Sequence, residues 1–200
     1  MQVPPKVLLF NRWDMSGAKV TDPGLIKYIN LVPVVVPRTG AKNRLSIHKS
    51  RTNIVERLIT HLMVPGHRGK KHKLKSDRCP ASSDAVTLSV RGAFEIIEKK
   101  GKDPIQTLVH AIENAALYEE VAAYRLGGII ARQSVVVSPH RRLDLALRYL
   151  AQGIYQSDFS SKKTLAQTIA DELLAASEND NKSHAIRERQ RLEREAEGAR

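Results

Sequence analysis

Hydrophobic positions recur at helical spacing along most of the chain. From Thr52 to Met63, Ile54, Val55, Leu58, Ile59 and Leu62 form one apolar stripe, and Val64-Pro65-Gly66 ends it. A second stripe, Val86, Val90, Phe94 and Ile97, predicts a helix from Asp84 to Lys100, with Gly101 just past its end. Gly92 inside that helix costs about 1 kcal/mol relative to alanine. Asp103-Pro104 opens a third helix through Ile105, Leu108, Val109, Ile112 and Ala115, because proline suits a first turn whose amide has no acceptor. The period then changes. Val121 to Leu126 and Ile129 to Val137 flank Gly127-Gly128, which predicts a β-hairpin turning on glycines that tolerate positive φ. Ser138-Pro139 restarts helix, with Leu143, Ala146, Leu147, Leu150 and Ile154 inward, and another helix spans Thr164 to Ser177.

Three stretches break this pattern. In residues 1–45, Pro4, Pro5, Pro23, Pro33 and Pro37 exclude a long helix, so an extended arm is expected, pinned at one end by Leu8, Leu9, Phe10 and Trp13. Asp22-Pro23 before Leu25, Ile26, Tyr28 and Ile29 predicts a brief helix there. Residues 65–83 are nearly all polar and predict a basic loop insertion. Residues 183–200 carry little apolar stripe beyond Ile186 and Leu192, and predict a helix lying on a partner or a frayed tail. The expected fold is mainly α: one helical domain of five to six helices with a protruding β-hairpin. An arm at 1–45 precedes a domain at 46–200, whose ribbon occupies 119–137 and whose charged end occupies 183–200.

Composition narrows the function. The chain has 200 residues, 42% of them hydrophobic and only 4% aromatic, so its core must be built from small aliphatic side chains. One cysteine, Cys79, cannot form an internal disulfide, and no apolar run approaches the roughly 18 residues of a membrane span. The N-terminus shows no charged leader followed by an apolar stretch and a cleavage site. These features predict a soluble intracellular protein. Phosphate-binding glycine loops, His-Glu-x-x-His and Gly-x-Ser-x-Gly are missing, and Glu119-Glu120 alone is no acid–base pair, so no enzyme, cofactor or small-molecule substrate is expected. His61, His67, His72 and Cys79 lie close in sequence, but their spacing matches no common zinc motif.

The net charge is +12, and its distribution is the main functional clue. Residues 38–78 hold twelve Lys or Arg against two acids, whereas 79–200 carries seventeen of each sign. Clustered cations of this kind favour a polyanion, since neutralising phosphates releases condensed counterions. The block supplies Arg38, Lys42, Arg44, Lys49, Arg51, Arg68, Lys70, Lys71, Lys73, Lys75 and Arg78 as candidate RNA contacts. The ribbon and the helix behind it add Arg125, Arg132, Arg141, Arg142 and Arg148, beside His140, with Asp144 the sole acid between 125 and 148. Arg141 and Arg142 stand near a helix N-terminus, which also favours phosphate. The end of the chain is a weaker candidate, with six charges of each sign in 178–200. A DNA-binding regulator of helix-turn-helix type is the alternative, but it would carry its cations on a recognition helix, not across loop, ribbon and tail.

Several stretches resemble the small-subunit ribosomal protein S-seven family, in the branch shared by archaea and eukaryotes. NIVERLITHLM is similar to its first core helix, and AFEIIEKKGKDPIQTLVHAIENAA to its second and third. YRLGGIIARQSVVVSPHRRLDLALRYL resembles its β-ribbon and following helix, LAQTIADELLAASEND its penultimate helix and EGAR an archaeal-like ending. Leu117 stands where proline is usual after ENAA, Gly92 stands where an acid is more usual, and 65–83 resembles an insertion of some members only. The resemblance implies a structural protein of the small subunit that binds the 3′ major domain of small-subunit rRNA early in head assembly. It further implies neighbouring small-subunit ribosomal proteins, a cytoplasmic ribosomal location, and a ribbon near the exit-site tRNA and the mRNA exit channel.

Overall fold

Local capping chemistry sets the boundaries of the helices. A computed structural model describes residues 7–38, 46–64, 82–159 and 161–200. A 3-10 helix, Ser46–Arg51, leads into α1, Ile54–Met63, whose first turn is capped by the Asn53 side chain accepting from the Val55 amide. Next come α2, Ser83–Lys99, and α3, Pro104–Ala115, where Asp103 accepts from the Ile105 amide and Pro104 fills the first position. The ribbon is β1, Glu119–Leu126, paired antiparallel with β2, Ile129–Val136. Helix α4 runs Pro139–Asp158, α5 runs Leu165–Ser177 behind a Thr164/Gln167 capping box, and α6 runs His184–Glu197 behind Ser183. The described residues therefore form six α-helices and one two-stranded ribbon, the mainly-α architecture expected.

The apolar stripes converge on a single core. Leu58, Val90, Phe94, Ile97, Leu108, Ile112, Leu147, Leu150, Ile169 and Leu173 are all fully buried within it. Close helix approach depends on small residues. A Cβ at Gly153 would lie 2.7 Å from His184 Cβ and 2.8 Å from Glu172 Oε1, so glycine lets α4 meet the junction of α5 and α6. At Gly92 a Cβ would stand 3.2 Å from Ala166 Cβ, so a side chain there would require α5 to give by a few tenths of an ångström. Leu117, the other departure noted above, is fully buried with Val137 and Leu145 in a small cluster under the ribbon root.

Two expectations are corrected. Residues 7–38 are irregular, as proline requires, but they do not stand off the core. Leu9, Trp13, Met15, Leu25 and Ile29 are buried in it. Trp13 meets Phe94 edge-on at 5.5 Å and donates its indole N–H to Glu98 at 3.0 Å. The backbone of the segment is satisfied by α3 side chains: the Lys19 amide donates to Gln106 Oε1 at 2.8 Å and the Asp22 amide to Glu113 Oε1 at 2.8 Å. The brief helix expected after Pro23 is a run of turns, with the Gly24 amide capped by Asp22. Residues 1–6 and 39–45, and the loop 65–83 up to residue 81, lie outside the described residues.

The second correction concerns the end of the chain, which packs on its own fold. Ala185, Ile186 and Ala196 are buried, Leu192 lies against the ribbon-root cluster, and Arg189 donates to the Asn114 carbonyl at 2.6 Å. Glu172 of α5 anchors the start of α6, accepting from Ser183 Oγ at 2.7 Å and the Ala185 amide at 3.3 Å. Burial pushes the Glu172 carboxyl above its usual range, against these hydrogen bonds, which lower it. Small residues and long side-chain stems supply the contact area that a Leu-rich stripe would otherwise provide.

The tryptophan separates an integrated segment from a loose arm. Trp13→Ala is expected to lower unfolding stability by about 3–5 kcal/mol, the range for removing a buried aromatic. Urea unfolding followed by far-UV circular dichroism measures it. A loss below about 1 kcal/mol would mean that the segment does not contribute to the core.

Candidate nucleic-acid interface

Cations separated in sequence meet where the 3-10 helix, α1 and α4 come together. Residues 57 and 61 share one face of α1, and 140, 144 and 148 share one face of α4, by i,i+4 spacing. Asp144 is the centre. Arg57 Nη2 lies 2.6 Å from Asp144 Oδ1, His140 Nδ1 lies 3.5 Å from Oδ2, Lys49 Nζ 3.8 Å from Oδ2, and His61 Nε2 4.0 Å from Oδ1. Arg57 is 5% exposed and also donates to the Tyr28 carbonyl at 3.5 Å. Burial pulls its guanidinium below the ordinary arginine range, while Asp144 opposes that fall. Burial alone would raise Asp144, but the Arg57 charge and hydrogen bond, with Lys49 and His140, hold the carboxyl below its usual range. His61 is driven down to about 4, first by burial and then by Arg57, Arg148 and Lys49, with Asp144 acting the other way.

The ribbon presents two different faces. Its register pairs Arg125 with Ile130 and Ala123 with Arg132, so Arg125, Ile130 and Arg132 share one face, while Tyr124 and Ile129 occupy the other. Gly127 and Gly128 turn the hairpin at φ 55° and 99°, the left-handed backbone of a primed two-residue turn. Arg125 and Arg132 are exposed, and so are Arg51 and Arg148; none of the four is held in an ion pair among the described residues.

Other predicted contacts are engaged within the fold. Arg141 is half-exposed and forms a bidentate pair with Glu120, Nε to Oε1 at 2.7 Å and Nη2 to Oε2 at 2.8 Å. That hydrogen-bonded pairing raises its pKa further. Arg142 corrects the expectation of a second phosphate contact. It is buried, its Nη2 donates to Asp22 Oδ2 at 2.6 Å, its Nε donates to the Leu117 carbonyl at 3.1 Å, and its guanidinium lies 4.1 Å from the Tyr118 ring centre. The helix start turns this side chain inward because position 142 falls on the same face as Leu145 and Ala146. Arg38 is exposed and pairs with Asp84 at 2.8 Å, in the first turn of α2. Lys42, Arg44, Arg68, Lys70, Lys71, Lys73, Lys75 and Arg78 lie outside the described residues. So do His67, His72 and Cys79, and the described residues contain no group of three or more side chains suited to a metal ion. No helix among them is long and apolar enough to cross a membrane.

The sequence alone pointed to Lys49, Arg51 and Arg148 but missed Arg57, and placed His61 only in a metal grouping. The i,i+4 register of 57 with 61, and of 140 with 144 and 148, was the signal that joins them.

Residues 27–200 match the family model described as ribosomal protein S7p/S5e. The chain belongs to this family. It is 43% identical over 200 residues to the small ribosomal subunit protein uS7 of Methanococcus maripaludis strain C6, covering 98% of this chain and 100% of that protein. It is 41% identical over 197 residues to that of Methanoregula boonei (98% and 91%), and 39% identical over 198 residues to that of Nanoarchaeum equitans (98% and 100%). The relatives are ribosomal structural proteins, and the S7p/S5e family is not one of enzymes. The archaeal matches extend through the N-terminal segment, so the part of this S7p/S5e member that Arg142 ties down lies within the shared length.

The two adjacent arginines should separate cleanly in this S7p/S5e protein. Arg142→Ala leaves the partly buried Asp22 without its guanidinium partner and is expected to cost roughly 3 kcal/mol or more. Arg141→Ala, on a half-exposed pair, is expected to cost about 1 kcal/mol or less. Thermal and denaturant unfolding of both variants compares them. Equal losses would contradict the structural role assigned to Arg142.

Proposed function

We propose that this protein binds the 3′ major domain of small-subunit rRNA, takes part early in assembly of the subunit head, and holds its ribbon near the exit-site tRNA and the mRNA exit channel. As a ribosomal S7p/S5e protein it is a structural constituent of the small subunit, with rRNA and other ribosomal proteins as partners. The observation that carries the finer reading is the convergence of Lys49, Arg57, His61, His140 and Arg148 on one junction, beside exposed Arg51. This positive surface is built from a loop-like 3-10 turn and two helix sides. It suits an irregular RNA fold better than a duplex groove. A helix-turn-helix regulator would need a free basic recognition helix, and α6, the most arginine-rich helix, has Arg189 and Arg191 paired to glutamates and is docked on the body.

Salt dependence reads the number of phosphates neutralised. Replacing Lys70, Lys71, Lys73 and Lys75 with alanine should flatten the log K against log salt slope for an rRNA head-domain fragment by about two to three units. Replacing four Lys or Arg in 178–200 should change it less, because several of those arginines already face α6 carboxylates. Filter binding across a salt series decides. An equal or smaller effect from the first set would remove the charge block from the interface.

Building and working should also separate along the ribbon. Shortening the tip, residues 125–132, should leave thermal unfolding and incorporation into small subunits nearly unchanged, while weakening exit-site tRNA footprints or frame maintenance on those subunits. Sedimentation of assembled subunits and footprinting report the two effects. A tip deletion that blocks assembly would overturn this division.

A further inference from the structure

The Asp144 junction holds more positive charge than its one carboxylate balances. Lys49, Arg57 and Arg148 carry three full charges against that one, an excess of two before either imidazole is counted. It is also sheltered. His61 is 25% exposed and His140 is 21% exposed, with Tyr28 of the N-terminal segment lying edge-on to the His140 ring at 6.4 Å. His140 Nδ1 faces Asp144, while its Nε2 is buried and has no hydrogen-bond partner among the described residues. The groups facing His61 come from every element packed around it: Arg57 on α1, Asp144 and Arg148 on α4, and Lys49 on the 3-10 helix.

We infer that this junction is a phosphate site for the RNA backbone, in which a phosphodiester enters between Lys49 and Arg148 and His61 takes up one proton from solvent as it binds. The inference rests on the RNA-binding reading above and adds a proton to it. No covalent bond changes: buffer or water loses a proton, and the neutral imidazole becomes imidazolium.

Electrostatics gives the direction. In the free protein burial, and after it the charges of Arg57, Arg148 and Lys49, outweigh Asp144 and hold His61 as low as about 4. A phosphodiester brings a negative charge to the same junction and partly cancels the repulsion from Lys49 and Arg148. The bound histidine therefore holds its proton to higher pH than the free one. Linkage then requires that binding take up protons between those two values, so affinity rises as pH falls through that window and levels off above it. Asp144 stays ionised throughout, because its own carboxyl sits below the usual range. It keeps Arg57 and the histidines in place while the exposed cations meet the ligand.

The test uses the full chain and an rRNA head-domain fragment at constant ionic strength, from pH 5 to pH 8. Wild type should bind several-fold more tightly at pH 5.5 than at 7.5; one linked proton sets a limit of about tenfold per pH unit. Calorimetry in buffers of different ionisation enthalpy should show net proton uptake. The His61 imidazole, followed by NMR, should titrate near its low free value without RNA and at higher pH in the complex, a readout needing no variant. His61→Gln, checked for folding by circular dichroism, should lose the acid-side rise. Inorganic phosphate at the same concentration as the RNA should leave His61 unmoved; an equal shift would overturn the assignment to a nucleic-acid backbone. RNA binding at pH 5.5 without proton uptake, or a pH rise retained in His61→Gln, would overturn the proton-coupled site and leave the RNA-binding reading standing. Failure of wild type to prefer the rRNA fragment over duplex DNA at any pH would overturn that reading and this inference with it.

Discussion

The buried Arg142–Asp22 pair is the contact on which the arrangement of the other parts depends. It bridges 120 positions of sequence and joins the N-terminal segment, the start of α4 and the backbone just before the ribbon. A guanidinium this buried is tolerated only when its donors are occupied, and here a carboxylate, a carbonyl and an aromatic face occupy them. The fit is close: a Cβ at Gly24 would stand 3.0 Å from Arg142 Nη1. Because the ribbon begins at Glu119, immediately after Leu117 and Tyr118, this contact fixes where the ribbon leaves the body.

A second inward-turned pair, Arg57–Asp144, does the corresponding work beneath the cations proposed to meet RNA. One of its members is 5% exposed and the other 24%, so the pair ties α1 to α4 while leaving a carboxylate edge toward the surface cations. The strongly basic chain thus divides its arginines between two uses. Those facing inward, Arg57 and Arg142, hold elements together through carboxylates far away in sequence. Four exposed ones, Arg51, Arg125, Arg132 and Arg148, have no ion-pair partner among the described residues. An arginine without a carboxylate beside it keeps its full charge for a phosphate, whereas a paired one must first give up a bond.

Periodicity made the helices and the hairpin legible, because each apolar stripe has one partner, the common core. It failed where packing does not follow a repeat. Residues 7–38 contribute Leu9, Trp13, Met15, Leu25 and Ile29 at irregular intervals, and their backbone is satisfied by Gln106 and Glu113, side chains about ninety positions away. Helix α6 was misread because Ala185, Ala196 and the stems of arginines are weak hydrophobic signals, although they bury well against a neighbour. The site was legible as a charge block but not as a constellation. Arg141 and Arg142 are adjacent and chemically identical, and only the helix phase distinguishes the one that faces solvent from the one that faces Asp22.

The ribbon combines paired arginines at its root with exposed ones at its tip. Its root is gripped on both faces: Arg141 from α4 takes Glu120, and Arg200 takes Glu119 at 2.7 Å, with the Ser134 amide donating to the Ala199 carbonyl at 3.2 Å. Glu119 and Glu120 point to opposite faces because successive strand residues alternate, so the two arginines oppose each other across the sheet. A two-stranded ribbon alone is marginal in water. Clamping the root while leaving eight residues of tip free gives a projection whose direction is set by the body and whose surface is not committed to it. At the tip, Ile129 is 75% exposed and Ile130 66%, and Ile130 shares its face with Arg125 and Arg132, which have no ion-pair partner among the described residues. Isoleucines this exposed bury little apolar area on folding, so their presence on a ribbon that also carries exposed guanidinium groups fits a surface shaped for contact with something outside the chain.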